Sequence, residues 1–311
     1  MNNLRKIIIY YYIICRLWKG GDSLKVYISN YLSKSISIID YYTLKVEKVI
    51  NLDDSIYPHH FCVDKEKNLI YLPSSSDGMI YIYDMKTDKF LDTVSAGGNL
   101  SQIVLCNGEL FIANEDSDSI YILDRETLTP IGIIGLDYTP HGLDFDKSLN
   151  KLYVSCINSI VCIDVDKKKI EKQMKIDFKG WHLKINKENE EIYISTLDGK
   201  VVIVDMKNMK IKEVLEYFLL PLEIRFNYQN KVVYIADLGY KNIKILDSNT
   251  GKYIANIKVN GIPQGLEISS DGNFLFVSDT QNNSIKVYNC ITNQLIKEIK
   301  VGKEPTTIVC M

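Results

Sequence analysis

The sequence predicts an all-β protein of the β-propeller class: a ring of seven blades with four antiparallel strands each. Three observations predict it. The strand-like runs VYISN, IYLPS, LFIAN, LYVSC, IYIST, VYIAD and LFVSD carry aromatic residues at Tyr27, Tyr71, Phe111, Tyr153, Tyr193, Tyr234 and Phe276, spaced by 44, 40, 42, 40, 41 and 42 residues. A repeat of about 40 residues holding four short strands has the period of a propeller blade. No segment shows the sustained 3.6-residue apolar stripe that a helical solenoid of similar period would need.

Each element of the repeat has a local reason. After the aromatic run comes a β-branched segment ending in an acid or amide, at Asp40, Asp84, Asp124, Asp164, Asp205, Asp247 and Asn289. An Asx side chain accepts from backbone amides just downstream and so starts a turn, which explains its fixed place. A third apolar run follows, as in YIANIKV. The fourth strand starts at a Pro or Gly: PHHFCVD, LSQIVLC, PHGLDFD, GWHLKIN, PLEIRFN, PQGLEIS and PTTIVCM. The chain begins its first repeat without that strand type and supplies it last, in PTTIVCM. The expectation is a ring closed by the C-terminal strand pairing with the N-terminal blade, leaving no open edge at the seam.

Composition sets outer limits on function. With 46% hydrophobic and 24% charged residues and a formal net charge of −2, a sizeable core is available and the basic footprint of a nucleic-acid binder is missing. Seven cysteines without metal-ligand spacing read as buried apolar side chains in a reducing compartment. Residues 1–23 match none of the repeat and are expected to lie outside a propeller of residues 24–311. Their run IIIYYYIIC is too short to span a bilayer and lacks a small-residue cleavage site, so a signal sequence and export are the lesser reading. A translated leader preceding a start at Leu24 is preferred, giving a cytoplasmic, bacterial, monomeric protein without stable membrane insertion.

The fourth-strand segments, innermost in each blade, supply the candidate site. Their first two columns contain all four histidines of the chain. Strict strand alternation assigns His60, Gln102, His182 and Glu223 to the channel wall and puts the charged quartet Asp144, Lys184, Arg225 and Glu267 one layer deeper. His59, His141 and Trp181 are expected on the rim. Such convergent polar groups suit a small molecule, a peptide or a protein partner. No metal or other cofactor is expected: zinc needs ligand atoms at about 2.0–2.2 Å, and His60 and His182 belong to the second and fifth repeats, expected on separate sides of the ring. No serine or cysteine nucleophile pattern and no glycine-rich phosphate loop stands out.

The pattern of Y[IV]S[ND], S[IV]xxID and PxGL from Lys25 to Met311 resembles the YVTN-repeat seven-bladed propellers, including the YncE-like proteins. The resemblance implies a non-enzymatic propeller that binds a small ligand or protein partner at the channel mouth. A second resemblance, of PHHF and of ADLGYKNI at Ala236 to Ile243, is to lactonase-like propellers. It implies the alternative of a hydrolase or lyase working at the same mouth.

Overall fold

The computed structural model describes residues 24–311; the proposed leader, residues 1–23, lies outside the described residues. Twenty-six strands, β1 (Lys25–Asn30) to β26 (Pro305–Cys310), pair antiparallel throughout. No helix among the described residues is long and apolar enough to cross a membrane.

The first sheet has the order β26-β1-β2-β3, with β2 at Ser35–Asp40 and β3 at Lys45–Asn51. It pairs Val26 with Cys310 and Ile28 with Ile308, so both ends of the described chain build one sheet. The strands form six sheets rather than seven separate ones. Five have four strands, and the fourth in chain order has six, β12 (Pro140–Asp146) to β17 (Lys210–Leu215). Two sequence repeats run together there because β13 (Lys151–Asp164) and β14 (Lys169–Asn186) continue where other repeats break. The LYVSC and SIVCID segments of β13 are separated only by Ile157 and Asn158, with Asn158 at φ 63°. Other repeats place a four-residue turn there, as in Tyr31 to Lys34.

The burial of each strand follows from its place. β1, β2, β9 (Glu109–Asn114) and β15 (Glu191–Thr196) are almost wholly buried on both faces, so they read as continuous Val, Ile, Leu and Tyr runs. The last strand of a repeat, such as β25 (Leu295–Lys300), is mostly exposed and carries Lys and Glu, which protects the outer edge from pairing. Seven apolar clusters among the described residues each draw on two consecutive repeats. One packs Phe276 and Ile285 of the last repeat against Val26 and Ile308 of the first sheet. Another packs Tyr27 and Ile38 against Phe61 and Ile70. The third-column residues Phe61, Leu143, Leu183, Ile224, Leu266 and Ile308 are all buried in these layers, as alternation predicts.

The Asx turns form as expected. Asp124 Oδ1 accepts from the amides of Glu126 (2.9 Å) and Thr127 (2.7 Å), and Asn289 Oδ1 from Ile291 (2.9 Å) and Thr292 (2.8 Å). Each turn ends in a left-handed residue four positions on, among them Leu128, Gly251 and Asn293.

Buried ion pairs fasten the sheets. Arg125 donates from Nη2 to Asp64 Oδ1 at 2.7 Å and from Nε to Oδ2, and the Asp64 side chain is 1% exposed. Lys286 meets Asp279 at 2.5 Å and Lys244 meets Asp237 at 2.7 Å, all four nearly inaccessible. Burial raises the affinity of Asp64 and Asp279 for a proton, but Arg125 and Lys286, together with the backbone amides and, at Asp279, the Asn282 side chain, outweigh it and hold both carboxyls below the usual range. A depressed folded-state value stabilises in full above the unfolded carboxylate value of about 3.9 and is lost as pH falls through the folded value. Urea-unfolding free energy should therefore lose these contributions only below about pH 4. Arg125→Met should cost about 3 kcal/mol at pH 7 by leaving Asp64 buried alone, and should move the onset of acid unfolding to higher pH. An unchanged acid transition would contradict this assignment.

Candidate functional site

Six of the seven inner strands begin with the same irregularity, and ahead of the seventh, β4 (Cys62–Asp64), Pro58 bridges Ser74 while Cys62 pairs with Tyr71, so three residues face two. In β12, Pro140 pairs with Cys156 and Gly142 with Ser155, so Pro140 and His141 share one partner step. In β14, Gly180 pairs with Thr196 and Leu183 with Ile194, setting Trp181 and His182 against the single residue Ser195. The same two-against-one step sets Leu222 and Glu223 against Ala236, Gln264 and Gly265 against Ser278, and Thr306 and Thr307 against Ser29. These are β-bulges, which break side-chain alternation and re-aim the residues they contain.

The serine of the Y[IV]S motif braces the bulge. Its hydroxyl accepts the freed amide of the second column: Gly142 to Ser155 (3.1 Å), His182 to Ser195 (3.2 Å), Gly265 to Ser278 (2.6 Å) and Thr307 to Ser29 (2.9 Å). Several of these hydroxyls then donate to the first-column carbonyl of the next repeat: Ser155 to Trp181, Ser278 to Thr306 (2.9 Å) and Ser29 to His59 (3.2 Å). The approach leaves no room for a side chain. A Cβ at Gly142 would lie 2.5 Å from the Trp181 carbonyl oxygen and 2.6 Å from Ser155 Oγ.

The bulges deliver the histidines to one place. The ring of His60 lies 5.3 Å from that of His182 and 6.1 Å from that of His141, and His141 lies 5.2 Å from His182, centroid to centroid. One ring nitrogen from each of the three lies within 4.8 Å of the other two. His60 and His182 are thus not on separate sides of an open channel. Residues placed by alternation on a wall are turned inward by the bulge and meet at the centre. His141 is not on the rim either; it is buried and stacks face to face on Trp181 at 3.5 Å. His59 and Trp181 are half-buried, and His59 Nε2 lies 3.4 Å from Gln264 Nε2.

The outward nitrogens of these rings have oxygen neighbours. His141 Nδ1 is 2.5 Å from Glu115 Oε1, and His60 Nδ1 is 3.0 Å from Thr307 Oγ1. His182 Nδ1 is 3.2 Å from Glu223 Oε2, an ion-pair distance without hydrogen-bond alignment. The Nε2 atoms of His60, His141 and His182 are buried and have no hydrogen-bond partner. Burial dominates the proton affinity of His59, His60 and His141. It lowers His59 to about 3, with the neighbouring His141 and His182 adding to the effect. It lowers His60 well below the ordinary value and His141 to about 4 against the pull of Glu115. These imidazoles are neutral at pH 7. Burial alone would raise the Glu223 carboxyl, but the Arg225 and His182 charges overcome it and keep it ionised.

The deeper quartet is present but internally paired. Lys184 Nζ meets Asp144 Oδ1 at 3.2 Å, Arg225 Nε meets Glu267 Oε2 at 3.2 Å, and Arg225 Nη1 also holds Glu223. Gln102 faces the next repeat instead of the histidines, its Oε1 accepting the Leu143 amide at 2.8 Å. Glu115 and Thr307 were not singled out from the sequence. Glu115 immediately follows LFIAN, and the residue at the same place after VYISN, Tyr31, sits edge-on to His59 at 5.9 Å. That column, read across repeats, was the available signal. The ADLGYKNI stretch serves the sheet: Asp237 accepts the amides of Leu219 (3.1 Å) and Leu220 (3.0 Å) and pairs with Lys244. A cavity of about 400 Å³ lies elsewhere, against Asn256, Asn260, Lys286 and Glu298 near the outer strands.

No family model matches the chain. It is 22% identical over 273 residues to antigen Lp49 of Leptospira interrogans, covering 85% of this chain and 44% of that protein; the chain spans less than half the length of this curated relative. Among solved structures, a candidate 6-phosphogluconolactonase from Bacteroides fragilis matches with a TM-score of 0.76 at 15% identity, covering 94% of this chain and 99% of the other. The dihydro-heme d1 dehydrogenase NirN, solved in complex with DHE, matches with a TM-score of 0.69 at 12% identity, covering 92% of this chain and 74% of that one. The fold is an all-β propeller with four-stranded antiparallel blades, and proteins of different activity share it.

Gly142→Ala should lower stability by about 1–3 kcal/mol through overpacking at the bulge. Because the added methyl pushes on the Trp181 carbonyl, the Trp181 emission spectrum should shift in the folded variant. A variant with parental stability and spectrum would show that the close approach is absent.

Proposed function

We propose that this propeller binds a small ligand at the histidine-bearing end of its inner strands and does not turn it over. The observation that carries the reading is the convergence of His60, His141 and His182 beside Trp181 and Glu223, with the Nε2 atoms of all three rings buried and lacking partners. An unsatisfied buried polar atom costs roughly 1–3 kcal/mol. Three in one place favour an occupant that supplies the missing interactions. The half-buried His59, Trp181 and Gln264 suit the mouth of such a site.

The pairing of carboxylates favours binding over hydrolysis. General acid–base work needs a group free to exchange a proton, and Glu223, Glu267 and Asp144 are each engaged by Arg225 or Lys184. A peptide or protein partner would need a wider mouth than side chains 5–8% exposed provide, so a small molecule or ion is preferred. A monomeric, cytoplasmic protein belongs to the same proposal.

Trp181 reports on the site directly. In a Trp18→Phe background it is the sole tryptophan of the chain. Gluconolactone and a panel of metabolite-sized carboxylates and phosphates are titrated while Trp181 emission is followed. A saturable change for at least one probe is expected, weakened about tenfold or more, or about 1.4 kcal/mol, by His182→Gln and unchanged by Asn256→Ala at the outer cavity. Loss in Asn256→Ala alone, no response to any probe, or lactone turnover that His182→Gln abolishes would each overturn the reading.

A further inference from the structure

We infer that His60, His141 and His182 form a binding site for a divalent transition-metal ion of the zinc type, with Nε2 of each ring as ligand. The inference deepens the binding reading above by naming the class of occupant, and it rests on that reading's location.

The donor set is the first argument. Three imidazoles suit zinc, copper, nickel or cobalt and are poor ligands for magnesium or calcium, which prefer oxygen. Their offered nitrogens lie within 4.8 Å of one another. A tetrahedral ion with bonds of about 2.1 Å holds its ligands about 3.4 Å apart. The widest pair must therefore close by about 1.4 Å, roughly 0.7 Å per ring, on the same bond lengths. His141 and His182 lie only 10° from parallel and must tilt toward each other to do so. The His182 Nδ1 contact with Glu223 lacks hydrogen-bond alignment, so that ring has freedom to turn.

The surroundings are the second argument. A metal-bound histidine usually gives its other ring N–H to a carboxylate, hydroxyl or carbonyl, which fixes the tautomer and aims the ligand nitrogen. Two of the rings have such a partner at Nδ1, Thr307 Oγ1 for His60 and Glu115 Oε1 for His141, and Glu223 Oε2 lies 3.2 Å from His182 Nδ1 without hydrogen-bond alignment. In His60 and His141 the nitrogen left over is Nε2, and in all three rings Nε2 is buried and unpartnered. Each second neighbour comes from a different strand or loop from the histidine it holds, which a chance cluster of aromatic rings would not require. Three histidines leave at least one position of a four-coordinate ion for water or a ligand oxygen or nitrogen.

Cobalt(II) titrated alone into tag-free, chelator-treated full-length protein tests the site through its visible d–d absorption. One equivalent should bind with the bands of a four- or five-coordinate nitrogen site, and zinc should displace it. His60→Gln, His141→Gln and His182→Gln should each abolish the bands. Glu115→Gln, a positioning change outside the ligand set, should weaken binding by about tenfold to a hundredfold with stoichiometry unchanged. Circular dichroism identifies any variant that fails to fold, and the Glu115→Gln result then decides alone. Absent bands, or bands that survive His60→Gln, would overturn the metal site. If chelator-treated protein still binds a panel ligand through Trp181 while cobalt leaves no bands, the metal inference fails and the binding reading stands. If cobalt binds and the ligand binds only with it, both hold.

Discussion

The two-against-one bulge at the head of six inner strands is the constraint on which the rest depends. In four repeats the motif serine opposite accepts the amide it frees, as Ser155 does for Gly142 and Ser278 for Gly265. The same hydroxyls reach the carbonyl of the following repeat, so a local irregularity becomes a stitch between neighbours. Glycine is required at Gly142 and Gly265 because a Cβ would collide with the neighbouring backbone carbonyl. At His182 and Glu223, where the second column carries a side chain instead, the bulge aims it inward.

The cluster runs against ordinary burial preference. Apolar layers such as those around Phe276 and Tyr27 gain from being dry, whereas three imidazoles with bare Nε2 atoms lose hydrogen bonds to water without replacing them. The charged layer beneath shows the alternative solution, since Asp144 with Lys184 and Arg225 with Glu267 pair completely across repeats. One ring of positions thus satisfies its polar groups internally and the next does not. That contrast within the same seven strands separates structure from site.

Much of the fold was legible because it is periodic. Tyr27 to Phe276 mark the strands, and the Asx residues mark turns whose hydrogen bonds form as expected. The sheet count was not legible, because β14 runs unbroken from the outer strand of one repeat into the inner strand of the next, so two repeats share a six-stranded sheet. The histidine columns could be read, but their meeting point could not. Alternation with period two was carried through Pro140 to Gly142 and Gly180 to Leu183, where the bulge suspends it. Hence His141 was sent to the rim, His60 and His182 to separate walls, and Gln102 to the channel rather than to the Leu143 amide. Glu115 escaped notice because it lies in a loop of a different repeat from the ring it holds.

The most direct test of this account is a crystal structure of the tag-free protein, refined at a resolution that separates the imidazole rings. The predicted result is two residues opposite one at the head of the inner strands that carry His141, His182 and Glu223, with the rings of His60, His141 and His182 in mutual contact and their Nε2 atoms turned toward a shared point. Inner strands paired in regular register, with His60 and His182 facing each other across a water-filled channel, would contradict it.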